Sequence, residues 1–185
     1  MTLAPNAEMW TTLRMQHVVQ GEFRVSKDPA IAMSTILGSC VSVALFDDAA
    51  GVGGINHFLL PASGERGNTE LRYGAMANEL LINELLKLGA SRSHIRAKLF
   101  GGANVVARLG DVGSRNVSFA RDYMRREGIP VEELDVGGTQ ARRLQFHPTS
   151  GKSRVFKVPV DQERAVVANE SPRSVMHSAA DVTLF

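Results

Sequence analysis

The sequence predicts a single-domain, mixed α/β layered fold, and three observations lead there. Short apolar segments of strand length outnumber segments with helical periodicity. The two kinds alternate irregularly, which argues against a strictly doubly wound sheet. The 185 residues, 44% hydrophobic and 22% charged, suit one core in one domain.

Residues 1–15 read as a loose or helical extension. Residues 16–26 (QHVVQGEFRVS) read as a strand broken by a turn at Gly21, and Lys27-Asp28-Pro29 is a turn signal because proline fixes its own backbone angle. AIAMSTIL, residues 30–37, is short, apolar and partly β-branched, which favours a strand. Gly38-Ser39 interrupts it, and CVSVALFD (40–47) is a second buried segment whose pattern fits a strand or a helical start. After a turn over 47–51, Val52 to Leu60 reads as another strand, ended by Pro61.

Residues 69–88 carry the clearest helical signal. Met76, Leu80, Leu81, Leu85 and Leu88 recur mostly at spacings of three and four, on one side, and Gly89 is a plausible terminator. Residues 94–102 read as a strand entering a glycine turn, and 103–109 as a short helix. A helix over 117–127 is expected, capped by Asn116, with Val117, Ala120 and Met124 on one face and Gly128 and Pro130 closing it. Residues 131–138 look like a strand running into a tight turn. RRLQFH and SRVFKVPV look like a hairpin around Pro148-Thr149-Ser150-Gly151. Residues 161–185 are more polar and read as a tail, mobile or docked through Val182–Phe185.

The charge balance, 21 basic against 19 acidic side chains, argues against a nucleic-acid partner. The pairs Arg125-Arg126 and Arg142-Arg143 fit solvated faces better than phosphate grips. One cysteine makes an internal disulfide impossible, and a reducing compartment, the cytoplasm, is expected. No stretch reaches the length of a membrane span, so no membrane insertion is expected, and no signal-peptide pattern opens the chain. With no CxxC, no HExxH and five scattered histidines, neither a metal nor an organic cofactor is expected.

The informative stretch is Ser34-Thr35-Ile36-Leu37-Gly38-Ser39-Cys40-Val41. A lone cysteine among apolar neighbours is usually a small buried hydrophobe. Gly38 changes the weighting, because small residues before a nucleophile let the backbone turn sharply. Such a turn leaves sulfur and amide N–H groups, here those of Ser39 and Cys40, facing one cavity where an oxyanion can develop. His57, in GGINHFLLP, is the best candidate base: an imidazole titrates near neutrality and can take a thiol proton. A third group should orient the ring. Ser34 and Thr35 are both available, but on a strand they point to opposite faces, so only one can serve. Asn56 points away from its neighbour His57 by the same rule. The residues alone leave the orienting group open.

At this point the sequence resembles the CheD family, the chemoreceptor glutamine deamidases of bacterial and archaeal chemotaxis. The resemblance covers roughly residues 16–160. It is carried by QGEFRVSKDP, LGSCV with Asp47 shortly after, GGINHFLLP, LLKLGA, FGGAN, GSRN and DVGGTQARRLQFHPTSGK in that order. It implies a layered α/β/β sandwich with mixed, largely antiparallel sheets, and a catalytic domain over 16–160 between the extension and the tail. It also implies a cysteine–histidine–threonine triad. Cys40 and His57 match the first two. The family threonine, six positions before the cysteine, falls on Ser34, with Thr35 as the competing candidate; Ser34 is favoured because a one-residue shift reverses the face, and a local bulge would restore Thr35.

The activity implied is conversion of receptor glutamine side chains to glutamate through a cysteinyl thioester. Hydrolysis of receptor glutamyl methyl esters is implied as a related reaction. The implied partners are methyl-accepting chemotaxis receptors, at their cytoplasmic helical region, and in some organisms a CheC-like phosphatase. Gly101-Gly102 and Gly137-Gly138 are expected to shape turns, along the substrate groove or as simple turn geometry; Gly38, Gly101, Gly102 and Asn104, the last a recurrent family position, are the candidates for shaping the site. Arg115 and Asn116 also match, with structural support as the alternative to substrate contact. Phe100 and Phe119 are expected in the core. Two rivals stand beside this reading: a noncatalytic binding module in which Cys40 is dispensable, and a cysteine protease or transferase sharing the thioester step.

Overall fold

A computed structural model describes residues 5–60, 67–105 and 111–159. Among them are helices α1 (Pro5–Thr12), α2 (Gly67–Lys87) and α3 (Val112–Arg126). The strands are β1 (Arg14–His17), β2 (Phe23–Ser26), β3 (Ile31–Leu37), β4 (Val41–Asp47), β5 (Val52–Asn56), β6 (Arg96–Gly101), β7 (Val131–Val136), β8 (Arg142–His147) and β9 (Lys152–Lys157). A four-stranded sheet runs β1-β3-β8-β9 and a five-stranded sheet β2-β5-β4-β6-β7. β1 with β3 and β6 with β7 pair in parallel, and the other neighbours are antiparallel.

Strand alternation builds the layers. Val41, Val43 and Leu45 of β4 face the helices, where they share a core with Leu81, Ile82, Leu85, Ala120 and Met124. Ala44 and Phe46 point the other way, with Ile55 and Phe100, and meet Met33, Leu37, Leu144 and Phe146 of the four-stranded sheet. The result is the α/β/β sandwich that the family resemblance implies. β4 is buried along its whole length because it has a packed layer on each face, which is why its sequence reads as a continuous apolar run. Full burial of each large side chain here stabilises the fold by roughly 1.5–3 kcal/mol.

The chain changes sheet at residues 18–22, 27–30, 38–40 and 137–141. Three of these crossings share one end of the sandwich. β1 and β3 are parallel, with His17 opposite Ser34, so both strands run toward the same end, where Leu37 pairs with Arg142, the first residue of β8. In the other sheet Phe23 pairs with Asn56, Val41 with Gly101, and Gly101 with Val136. The 16–26 segment therefore contributes to both sheets, divided at Gly21, whose φ of 88° suits the turn.

Several local expectations are corrected. α3 begins at Val112, so Asn116 lies inside the helix, fully buried, and its side chain reaches sideways instead of capping an end. Residues 103–105 are not helical, and 106–109 lie outside the described residues. On α2 the packed side centres on Leu81, Ile82 and Leu85, while Met76 and Leu80 stay exposed, because the helical period rotates them off the stripe. Arg142 is not a solvated-face residue like Arg125 and Arg126. It is buried, donates to the Asp135 carbonyl at 2.7 Å, pairs with the Asp135 carboxylate and also reaches the Gly137 carbonyl, so its charge is satisfied inside the third crossing. Residues 161–185, expected to form a tail, lie outside the described residues.

Gly101 has a φ of 100°, and a side chain there would run into the Cys40 carbonyl oxygen. Gly128 has a φ of 68° but open space around it. Calorimetry is expected to show Gly101→Ala destabilised by about 2 kcal/mol or more beyond Gly128→Ala, which carries only the backbone cost of about 1–2 kcal/mol. That difference corresponds to a further drop in Tm of roughly 4–8 °C.

Candidate active site

Cys40 is the last residue of the crossing between β3 and β4. It is fully buried and belongs to the core between the sheets. Its backbone is held on all sides. The carbonyl of Gly38 accepts from the Ala103 N–H at 2.7 Å, that of Ser39 from Asn116 Nδ2 at 2.9 Å, and that of Cys40 from the Gly102 N–H at 2.7 Å. Because the peptides are trans, the N–H groups of Ser39 and Cys40 point opposite to these bound carbonyls.

His57 follows β5 directly. Its N–H donates to the Glu22 carbonyl at 3.0 Å, and its carbonyl accepts from the Gly21 N–H at 2.8 Å. Val41 and Phe58 then exchange both backbone hydrogen bonds, at 3.0 and 2.9 Å. That register makes Cys40 and His57 diagonal neighbours flanking one bridge. Their parity matches Ala44 and Ile55, so both belong to the face between the sheets.

The third group comes from the opposite sheet. Thr35 Oγ1 lies 2.8 Å from His57 Nδ1, both residues being buried, with the donor set by the ring tautomer. This corrects the preference for Ser34. Thr35 shares parity with Met33 and Leu37, which face the inter-sheet core, and β3 pairs with β8 without a register shift from Met33 to Leu37. No bulge is needed to bring Thr35 in. Ser34 points to the other face, where its buried hydroxyl meets no hydrogen-bond partner among the described residues. There it pairs across the strands with Gln145, which holds Arg154, and Arg154 lies over the ring of Trp10 from α1.

The glycine pairs meet beneath this segment. Gly102 donates to Cys40 as above, the Gly101 carbonyl accepts from the Gly137 N–H at 2.8 Å, and the Gly138 carbonyl accepts from the Asn104 N–H at 2.8 Å. Asn104 thus joins the frame through its backbone, and the residue itself is exposed. Asn56 turns away from the site. It accepts from the Val43 N–H at 2.9 Å and donates to Asn78 Oδ1 at 2.9 Å, tying α2 to the sheet. Among the described residues no three His, Cys, Asp or Glu side chains gather to hold a metal ion.

The family model described as CheD chemotactic sensory transduction matches residues 59–157. A protein of Ruegeria sp. called probable chemoreceptor glutamine deamidase CheD 1 is 46% identical over 175 residues, covering 91% of this chain and 94% of its own. The chain belongs to the CheD family. Further relatives called probable chemoreceptor glutamine deamidase CheD come from Caulobacter sp., 48% identical over 91% of this chain and 92% of theirs, and from Rhizobium meliloti, 47% identical over 86% and 89%.

Three residues of this CheD-family site make contacts that the sequence does not assign. Asn116 accepts from the Leu60 N–H at 2.8 Å while donating to Ser39, so one buried amide ties the cysteine crossing to the segment after His57. Gln20 places Oε1 3.7 Å from Cys40 Sγ. Tyr73 of α2 lies beside the Gly21 turn, and its phenol is pushed above the usual tyrosine range, first by burial and then by Coulombic interaction with Cys40. GSRN and QGEF flag the first two as motif members without assigning a contact. Nothing local marks Tyr73. No helix among the described residues is long and apolar enough to cross a membrane.

Thr35→Val keeps the shape of the side chain and removes the bond to the ring. Nitrogen NMR of His57 is expected to show a shifted Nδ1 resonance in Thr35→Val and an unchanged one in Ser34→Ala. The reverse pattern would return the orienting role to Ser34.

Proposed function

We propose that this CheD-family chain is a protein-glutamine deamidase acting on chemoreceptors, with Cys40 as nucleophile, His57 as general base and acid, and Thr35 orienting the ring. The observation that carries this reading is the Thr35–His57 bond, which reaches across the two sheets and fixes an imidazole on the face that bears Cys40. The names of the relatives support the choice of substrate.

With Nδ1 engaged by Thr35, proton transfer runs through Nε2. His57 takes the thiol proton, and the thiolate attacks the amide carbon of a receptor glutamine. The charge that develops on the amide oxygen is met by the N–H groups of Ser39 and Cys40, aimed away from their bound carbonyls. Protonated His57 gives its proton to the departing ammonia, leaving a glutamyl thioester on Cys40. Water then loses a proton to His57 and attacks the thioester, releasing glutamate and restoring the thiol. A glutamyl methyl ester presents the same acyl carbon, with methanol leaving in place of ammonia, so the same groups hydrolyse it. The modified receptor gains a negative charge at its helical surface. No step needs a metal or an organic cofactor.

Peptide mass spectrometry of receptor cytoplasmic fragments tests this reading. A gain of about one dalton at specific glutamines is expected with the wild type. The rate is expected to fall at least ~100-fold with Cys40→Ala or His57→Ala. Fragments that bind the folded protein yet show no mass change would contradict it and favour a binding module.

A further inference from the structure

Cys40 is fully buried, yet a nucleophile that serves a glutamine on another protein has to be reached from outside. The carboxamide against its sulfur belongs to Gln20, with Oε1 at 3.7 Å, and Gln20 is itself partly exposed. Its turn is tight, with the Glu22 N–H donating to the Val19 carbonyl at 3.0 Å and Gly21 in the third position at a φ of 88°. The turn is seated on the histidine: Gly21 donates to the His57 carbonyl, and the Glu22 carbonyl accepts the His57 N–H. Val19, at its start, is 55% exposed. One five-residue crossing therefore grips the base through its backbone and covers the nucleophile with a side chain.

That side chain is a glutamine, the chemical group the site is read as attacking. We propose that Gln20 is a built-in stand-in for the substrate carboxamide, covering the Cys40 thiol at rest and moving aside when a substrate glutamine enters. This rests on the deamidase reading above. The resting contact is protective because the oxygen of the carboxamide, not its carbon, faces the sulfur. The hydrogen-bond geometry sets Cδ beyond that oxygen, outside the ~3–3.5 Å of a near-attack arrangement. The thiol is held as a donor to an amide that it does not acylate. A substrate carboxamide takes the same place with its carbon presented, and Gly21 allows the turn to give way without disturbing β2. The apparent affinity for substrate is then lowered by the fraction of protein in the covered state.

The test uses the full chain and two readouts. The first is the second-order rate of Cys40 alkylation by iodoacetamide, which needs no substrate. Gln20→Ala and Gln20→Ser are each expected to raise it roughly fivefold or more. The second is steady-state deamidation of receptor fragments, where both variants are expected to lower KM without lowering kcat. An alkylation rate that is unchanged or reduced in both folded variants would overturn the proposal. So would a fall in kcat at constant KM, which would make Gln20 a donor in the transition state. Faster alkylation with no deamidation by any of the proteins would leave the cover in place and sink the deamidase reading instead.

Discussion

The crossing Gly38–Cys40 is held by three consecutive carbonyls, each bound from a different place: the Ala103 and Gly102 amides beyond β6, and Asn116 on α3. Everything chemical about this end of the molecule depends on that constraint. A three-residue link between two sheets has few conformations to begin with, and three external bonds leave it one. The direction of its amide N–H groups, the placement of the sulfur on the inter-sheet face and the start of β4 all follow. The tightness is also why glycines sit opposite it. A side chain at Gly101 would occupy the space of the Cys40 carbonyl, and one at Gly102 would run into Val117 and the Gly113 carbonyl.

The site is assembled from both sheets and the helical layer, so its geometry reports on the packing of all three. Thr35 comes from the four-stranded sheet, His57 from the end of β5, and Asn116 from α3. Removing Asn116's amide would orphan the Ser39 carbonyl and the Leu60 N–H, each at a cost of about 1–3 kcal/mol if left buried without a partner. The helix is therefore more than a cover for the sheet. It ties the segment that carries Cys40 to the one that follows His57.

What the sequence made legible follows from what is local. The interruption at Gly38 before Cys40 and the strand-end position of His57 are readable because a glycine break and a strand closed by a proline each have a local signature. The layered fold is readable from the strand and helix periods, although its α/β/β order came from family resemblance. The choice between Ser34 and Thr35 was not readable. Alternation says that only one faces the site, but which one depends on how β3 lies against the other sheet, and that is fixed by Met33 and Leu37 packing on Phe46, Ile55 and Phe100. Counting back from the cysteine misled because Gly38–Cys40 is a crossing, not a strand, and does not transmit parity. Asn116 was read as a cap because a capping residue and a laterally bonded one look alike without the partners Ser39 and Leu60, 77 and 56 positions away. Gln20 needed the three-dimensional convergence of two crossings to bring it to the sulfur.

The central claim is that Cys40 carries the substrate's acyl group. Interception by hydroxylamine tests it most directly, with receptor fragments turned over at rising hydroxylamine concentrations and the products identified by mass spectrometry. A thioester on Cys40 partitions between water and the added nucleophile, so the target glutamine should emerge increasingly as the glutamyl hydroxamate, while its total rate of loss stays constant if acylation limits turnover. Formation of glutamate alone at every hydroxylamine concentration, or hydroxamate that still forms with Cys40→Ala, would contradict the account.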